Sequence, residues 1–158
     1  MKKELKLKNQ ISELERVNKF VEEIGDELRL DMELQMNLNL VMEEMVSNVI
    51  FYAYPQGTEA EIELMAESDG KEVTFVLSDS GKEFDPTMKE DANPDINPAE
   101  RDIGGMGIFI VKNIMNKVTY QRLKGKNLLT MKCWLIRSPT AWRWTTTSWP
   151  TPSRNAPK

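Results

Sequence analysis

Histidine is absent from the chain, and that absence narrows the chemistry more than any residue present. Ser-His-Asp and Cys-His catalysis are excluded, and so is phosphorylation of a histidine of its own. There is one cysteine, Cys133, so no internal disulfide can form and a cysteine-built zinc site is ruled out. No apolar run reaches the roughly 18 residues of a membrane-spanning helix. The lysines of the N-terminal MKKELKLKNQ are not followed by the apolar segment of a signal peptide. The net charge of −4 offers nothing global to nucleic acid or to an acidic membrane surface. These absences lead to the expectation of a cytoplasmic protein with no membrane and no direct nucleic-acid partner. Its chemistry must rest on carboxylates, amides, backbone groups and a bound metal.

What is present suits one domain: 158 residues, 40% of them hydrophobic and 29% charged. Residues 2–8 alternate weakly around Leu5 and Leu7, as an edge strand would. From Ile11 to Leu28 the apolar positions recur at three and four residues, which predicts an amphipathic helix capped near Asn9 or Ser12. A second helix is predicted from about Met32 to Tyr54, ended by Pro55 and Gly57. The period then becomes two, through Ala60, Ile62, Leu64 and Ala66, with Asp69-Gly70 as a hairpin turn into Val73, Phe75 and Leu77. Residues 80–103 are rich in Gly, Pro, Asp and Asn and read as a lid loop. A helix is predicted from Ile108 to about Asn116, and two strands near 117–123 and 127–132. This order fits an α+β two-layer sandwich, a mixed but mostly antiparallel sheet with helices on one face.

The last stretch differs in kind. Residues 133–158 hold none of the 25 acidic residues, all four tryptophans and half of the eight prolines. The expected division is a domain over residues 1–132 and an atypical tail over 133–158, disordered or out of frame.

Three groups of residues carry candidate chemistry. Glu44 and Asn48 lie one turn apart on one face of the second helix. An amide oxygen suits Mg²⁺, which takes much of its shell from phosphate and water. A glutamate beside it can accept a proton from an attacking hydroxyl. Alone, such a pair is most often a solvated helix edge. Asp79 falls on the core side at the end of its strand, where a carboxylate needs a partner; the exocyclic amine of adenine is one, and a simple Asp-Ser-Gly turn is the plainer alternative. Gly104, Gly105 and Gly107 open the third helix and would leave backbone N–H groups free for phosphate oxygens. No Gly-Lys-Ser/Thr follows, so this is not a P-loop.

Taken together, Glu44-x-x-x-Asn48, Asp79-x-Gly81, a lid and Gly105-x-Gly107 resemble the three nucleotide-binding boxes of the GHKL ATPase superfamily. The segments EEMVSNVIFYAYPQG, DSGKEFDP and GGMGIFIVKNIMNKVTY resemble the anti-sigma-factor serine kinases, the RsbW and SpoIIAB type. The resemblance runs from about Lys3 to Lys132. It implies the Bergerat fold and binding of ATP with Mg²⁺. Asn48 would hold the metal, Glu44 would be the base, and Asp79 would read adenine. Gly81, Gly104, Gly105 and Gly107 would shape the pocket, Arg101 would reach the γ-phosphate, and Thr130 would approach the adenine. The implied activity is a protein serine kinase that phosphorylates a STAS-type anti-anti-sigma protein and sequesters a sigma factor or similar regulator, and a homodimer is compatible with this. The alternatives are a non-catalytic ATP-dependent switch module and a histidine-kinase catalytic domain; the lack of histidine and of a dimerisation helix argues against the latter. The sequence departs from the pattern at Glu83, where relatives carry a glycine, and at Tyr52-Ala53-Tyr54, where a histidine is common.

Overall fold

The computed structural model describes residues 1–88 and 105–135. Strand β1 (Lys2–Lys8) leads through a 3-10 turn (Ile11–Glu13) to helices α1 (Leu14–Leu28) and α2 (Met32–Tyr52). Strands β2 (Glu61–Ser68) and β3 (Glu72–Asp79) follow, then a 3-10 turn (Pro86–Met88), helix α3 (Gly105–Ile114), and strands β4 (Lys117–Leu123) and β5 (Lys126–Trp134).

The five strands form one sheet in the order β1-β2-β3-β5-β4. Every pairing is antiparallel, so the expected mixed character is not seen among the described residues. The register places Leu64 opposite Leu77 and Leu77 opposite Leu129, which lines up the apolar side chains of three strands on one face. Val17, Val21 and Ile24 of α1, Leu38, Val41 and Met42 of α2, and Ile108 and Val111 of α3 cover that face and are fully buried with it. A strand is apolar at every second residue and a helix at every third or fourth, and this is what lets one face of each element close on the others.

The caps of α1 differ from expectation. Neither Asn9 nor Ser12 caps it; Glu13 is the cap residue and makes no side-chain capping bond, its carboxylate accepting instead from Arg16 Nη1 at 2.6 Å. The side chain of Asn9 instead donates to the Thr58 carbonyl at 2.7 Å and accepts from the Ala60 N–H at 2.9 Å, tying the end of β1 to the chain entering β2. Helix α2 is capped by Asp31, which accepts from the Leu34 N–H at 2.8 Å. At the β2–β3 hairpin, Asp69 accepts from the N–H groups of Lys71 and Glu72, and these bonds hold its carboxyl below the usual range.

The last strand runs beyond the expected domain end at Lys132. Cys133 is buried in the core, and the Trp134 N–H donates to Asn116 Oδ1 at 2.8 Å. Apolar burial pushes the Cys133 thiol pKa up. Most of the expected tail, residues 136–158, lies outside the described residues.

Candidate nucleotide site

A cleft of about 250 Å³ opens between the C-terminal half of α2, the ends of β3 and β5, the segment after β3 and the start of α3. Its floor is apolar, from Met45, Val49, Leu77, Ile108 and Leu129, and its polar groups are Asn48, Asp79, Lys82, Tyr120 and Asn127. A flat apolar floor with a few fixed polar groups is the usual make-up of a small-molecule site.

Asp79 ends β3 on the inner face and is buried. Its Oδ1 accepts from the Gly81 N–H at 2.8 Å and from Asn127 Nδ2 at 2.9 Å. Gly81 sits where only glycine fits: a Cβ there would lie 2.5 Å from the Ala53 carbonyl oxygen and 2.6 Å from the Ala53 Cβ. The end of α2 clamps this loop further, because Lys82 N–H donates to the Ala53 carbonyl at 2.9 Å and Ser80 N–H donates to the Tyr54 hydroxyl at 2.9 Å. Tyr52-Ala53-Tyr54 thus serves as a brace for the loop. Burial pushes the phenol of Tyr54 above its ordinary pKa, and the same cause acts on Tyr120.

Glu44 and Asn48 are half-buried on α2. Asn48 lines the cleft, whereas Glu44 lies beyond it, against the first turn of α3. A Cβ on Gly107 would overlap Glu44 Oε1 and sit 2.5 Å from its Cδ. The glycines therefore do not stand before the helix, as expected, but inside it, since α3 begins at Gly105. The N–H groups of its first turn have no intrahelical partner, the feature by which a helix start suits anions. Glycine at 107 leaves the Glu44 side chain where it is, because α3 approaches it so closely.

The structure brings Glu44, Asn48, Asp79, Gly81, Gly105 and Gly107 to one end of the sheet. It does not bring Thr130 there. Asn127, Leu129, Met131 and Cys133 alternate inward along β5, so Thr130 faces the opposite side, beside Val76 and Thr119. Arg101 and Gly104 lie outside the described residues. Sequence reasoning missed Asn127, Tyr120 and Arg122. Asn127 Oδ1 accepts from the Tyr120 hydroxyl at 2.7 Å and from Arg122 Nη1 at 2.8 Å, while its Nδ2 also donates to the Lys82 carbonyl at 2.9 Å. Arg122 Nη1 reaches the Gly81 carbonyl as well, at 2.8 Å. A polar residue amid the alternation of β5 was the available signal.

The residues fit a nucleotide with its metal. Among the described residues no group of acids could hold a metal alone. Asn48 instead suits an ion that draws its other ligands from phosphate and water. Glycine at position 107 lets the first turn of α3 pass directly beside the Glu44 carboxylate.

Comparison with known proteins places the fold. The model of the histidine kinase-like ATPase domain matches residues 7–133. The serine/threonine-protein kinase BtrW of Bordetella bronchiseptica is 29% identical over 121 residues, covering 71% of this chain and 79% of that protein. Among solved structures, the RsbU and RsbW domains of Rv1364c from Mycobacterium tuberculosis superpose with a TM-score of 0.60 at 14% identity, covering 84% of this chain. This chain spans 32% of that one, so the likeness is one of fold. The chain belongs to the family of histidine kinase-like ATPase domains.

Proposed function

We propose that the chain is an ATP-dependent protein serine kinase of the anti-sigma-factor type, acting in the cytoplasm on a STAS-type anti-anti-sigma protein and sequestering a sigma factor or similar regulator. The observation that carries the reading is that the Asp79 carboxylate and the Asn48 amide line one cleft, while the Glu44 carboxylate stands just beyond it against the first turn of α3. The similarity to a serine/threonine-protein kinase supports transfer to a hydroxyl.

Bound Mg-ATP would supply the transferable γ-phosphoryl group and the charge that stabilises its transfer. Asp79, an acceptor-only carboxylate, takes the exocyclic amine of the base. Asn48 would hold the metal through its amide oxygen. The first turn of α3 would donate its N–H groups to phosphate oxygens. Glu44 accepts the proton of the attacking seryl hydroxyl. Gly107 leaves the space this carboxylate occupies.

The test pairs ATP affinity with phosphate transfer to a STAS protein for two variants. Glu44→Gln keeps shape and should bind ATP nearly as the wild type does, while transfer falls on the order of 10²–10⁴-fold. Asn48→Ala should weaken Mg-ATP binding itself. Wild-type binding of ATP with no transfer to any cognate STAS protein would favour a non-catalytic switch module instead.

A further inference from the structure

The geometry points to Asn127 as a positioning residue that fixes the Asp79 carboxylate and thereby sets the preference of the cleft for a base carrying an exocyclic amine. The inference rests on the nucleotide reading of the cleft and goes one layer beneath it.

The amide of Asn127 can stand only one way round. On one side its Oδ1 meets the Tyr120 hydroxyl at 2.7 Å and Arg122 Nη1 at 2.8 Å. A guanidinium can only donate. On the other side Nδ2 meets Asp79 Oδ1 at 2.9 Å and the Lys82 carbonyl at 2.9 Å. A carboxylate and a carbonyl can only accept. Turning the amide over would set an NH₂ against the guanidinium and an oxygen against two acceptors. All four of its hydrogen-bonding positions are therefore used inside the protein.

The consequence falls on Asp79. Its Oδ1 already accepts from the Gly81 N–H and from Asn127, so one oxygen of the carboxylate is held by two donors. Its Oδ2 has no hydrogen bond to another described residue and is left as the acceptor. With Asn127 donating inward, the pair offers the cleft an acceptor and no donor. An amino group fits that arrangement. A carbonyl at the same place on the base faces a carboxylate and is repelled. A site built around one buried acceptor discriminates well, because the wrong ligand leaves it unpaired.

The test compares affinities for Mg-ATP and Mg-ITP, which carry an amine and a carbonyl at the same ring position, by competitive displacement of a fluorescent nucleotide. Wild type should prefer ATP about tenfold or more. Asn127→Leu removes the donor to Asp79, and Asn127→Asp keeps the shape and the bonds to Tyr120 and Arg122 while facing Asp79 with a like charge. In either folded variant the preference should fall to about threefold or less, as one hydrogen bond's contribution is lost. Loosening of the fold alone would weaken both nucleotides in parallel, so a preference that stays at the wild-type ratio overturns the inference and leaves the nucleotide site standing. Equal binding of the two nucleotides by wild type removes Asp79 as the reader and this inference with it. Failure of wild type to bind either overturns the site reading as a whole.

Discussion

Gly107→Ala separates the position of Glu44 from its chemistry. The added Cβ would overlap Glu44 Oε1 and lie 2.5 Å from Cδ and 2.6 Å from Cγ. Carbon–carbon contact is comfortable from ~3.5 Å, so the carboxylate must retreat by about 1 Å. The obstructing atoms are the far end of a flexible side chain, which keeps the stability cost of overpacking near ~1 kcal/mol. Replacing glycine by alanine inside a helix returns ~1 kcal/mol, so the thermal midpoint should hardly move. The reaction is less tolerant: a misplacement of ~1 Å can cost on the order of 10²-fold in rate. Single-turnover transfer of labelled phosphate to the STAS protein, measured beside ATP affinity and a thermal melt, reads the three quantities separately. The expected outcome is a melt within error of wild type and transfer lowered toward that of Glu44→Gln. Transfer at the wild-type rate in a stable Gly107→Ala protein would refute the reasoning, because it would show that the reaction does not depend on where α3 holds Glu44.

Other perturbations have different signatures. Gly81→Ala strikes the backbone carbonyl of Ala53 at 2.5 Å instead of a flexible side chain, so chemical denaturation should show a loss of ~1–3 kcal/mol. The raised phenols of Tyr54 and Tyr120 should ionise only above the ordinary value of 10.0 in an ultraviolet titration, and Tyr54→Phe should remove one late step. Because their folded pKa lies above the unfolded one, the stability they add is complete below pH 10.0 and is lost as pH rises through the folded value. A chain ended after Leu135 should bind nucleotide as the full chain does. One ended after Lys132 loses the buried Cys133 and the bond from Trp134 to Asn116, and should melt lower, by an amount equivalent to ~1–2 kcal/mol.

The order of elements was legible in the sequence because apolar spacing is a local property. The period of three and four along Ile11–Leu28 and the period of two along Ala60–Ala66 survive in the structure almost to the residue. The candidate site was legible where a residue's position follows from its own element, as for Glu44 and Asn48 on α2 and Asp79 at the end of β3. Caps were less so, since Asn9 is drawn away by the backbone at 58–60, which no local rule foresees. Thr130 was placed in the site by the family resemblance alone, and an offset of one residue turns a side chain to the other face of a sheet. The register of β3 on β5 settles it, putting Asn127 opposite Asp79, 48 residues away in the chain. Gly107 shows the same division. The sequence marked it as a glycine at a helix start, but only the approach of α3 to α2 shows that its missing side chain leaves room for Glu44. Periodicity thus determined the elements and the polar residues each one carries, and a family resemblance pointed from those residues to a nucleotide. Strand register and helix packing, which depend on contacts far apart in the chain, decided which of them meet.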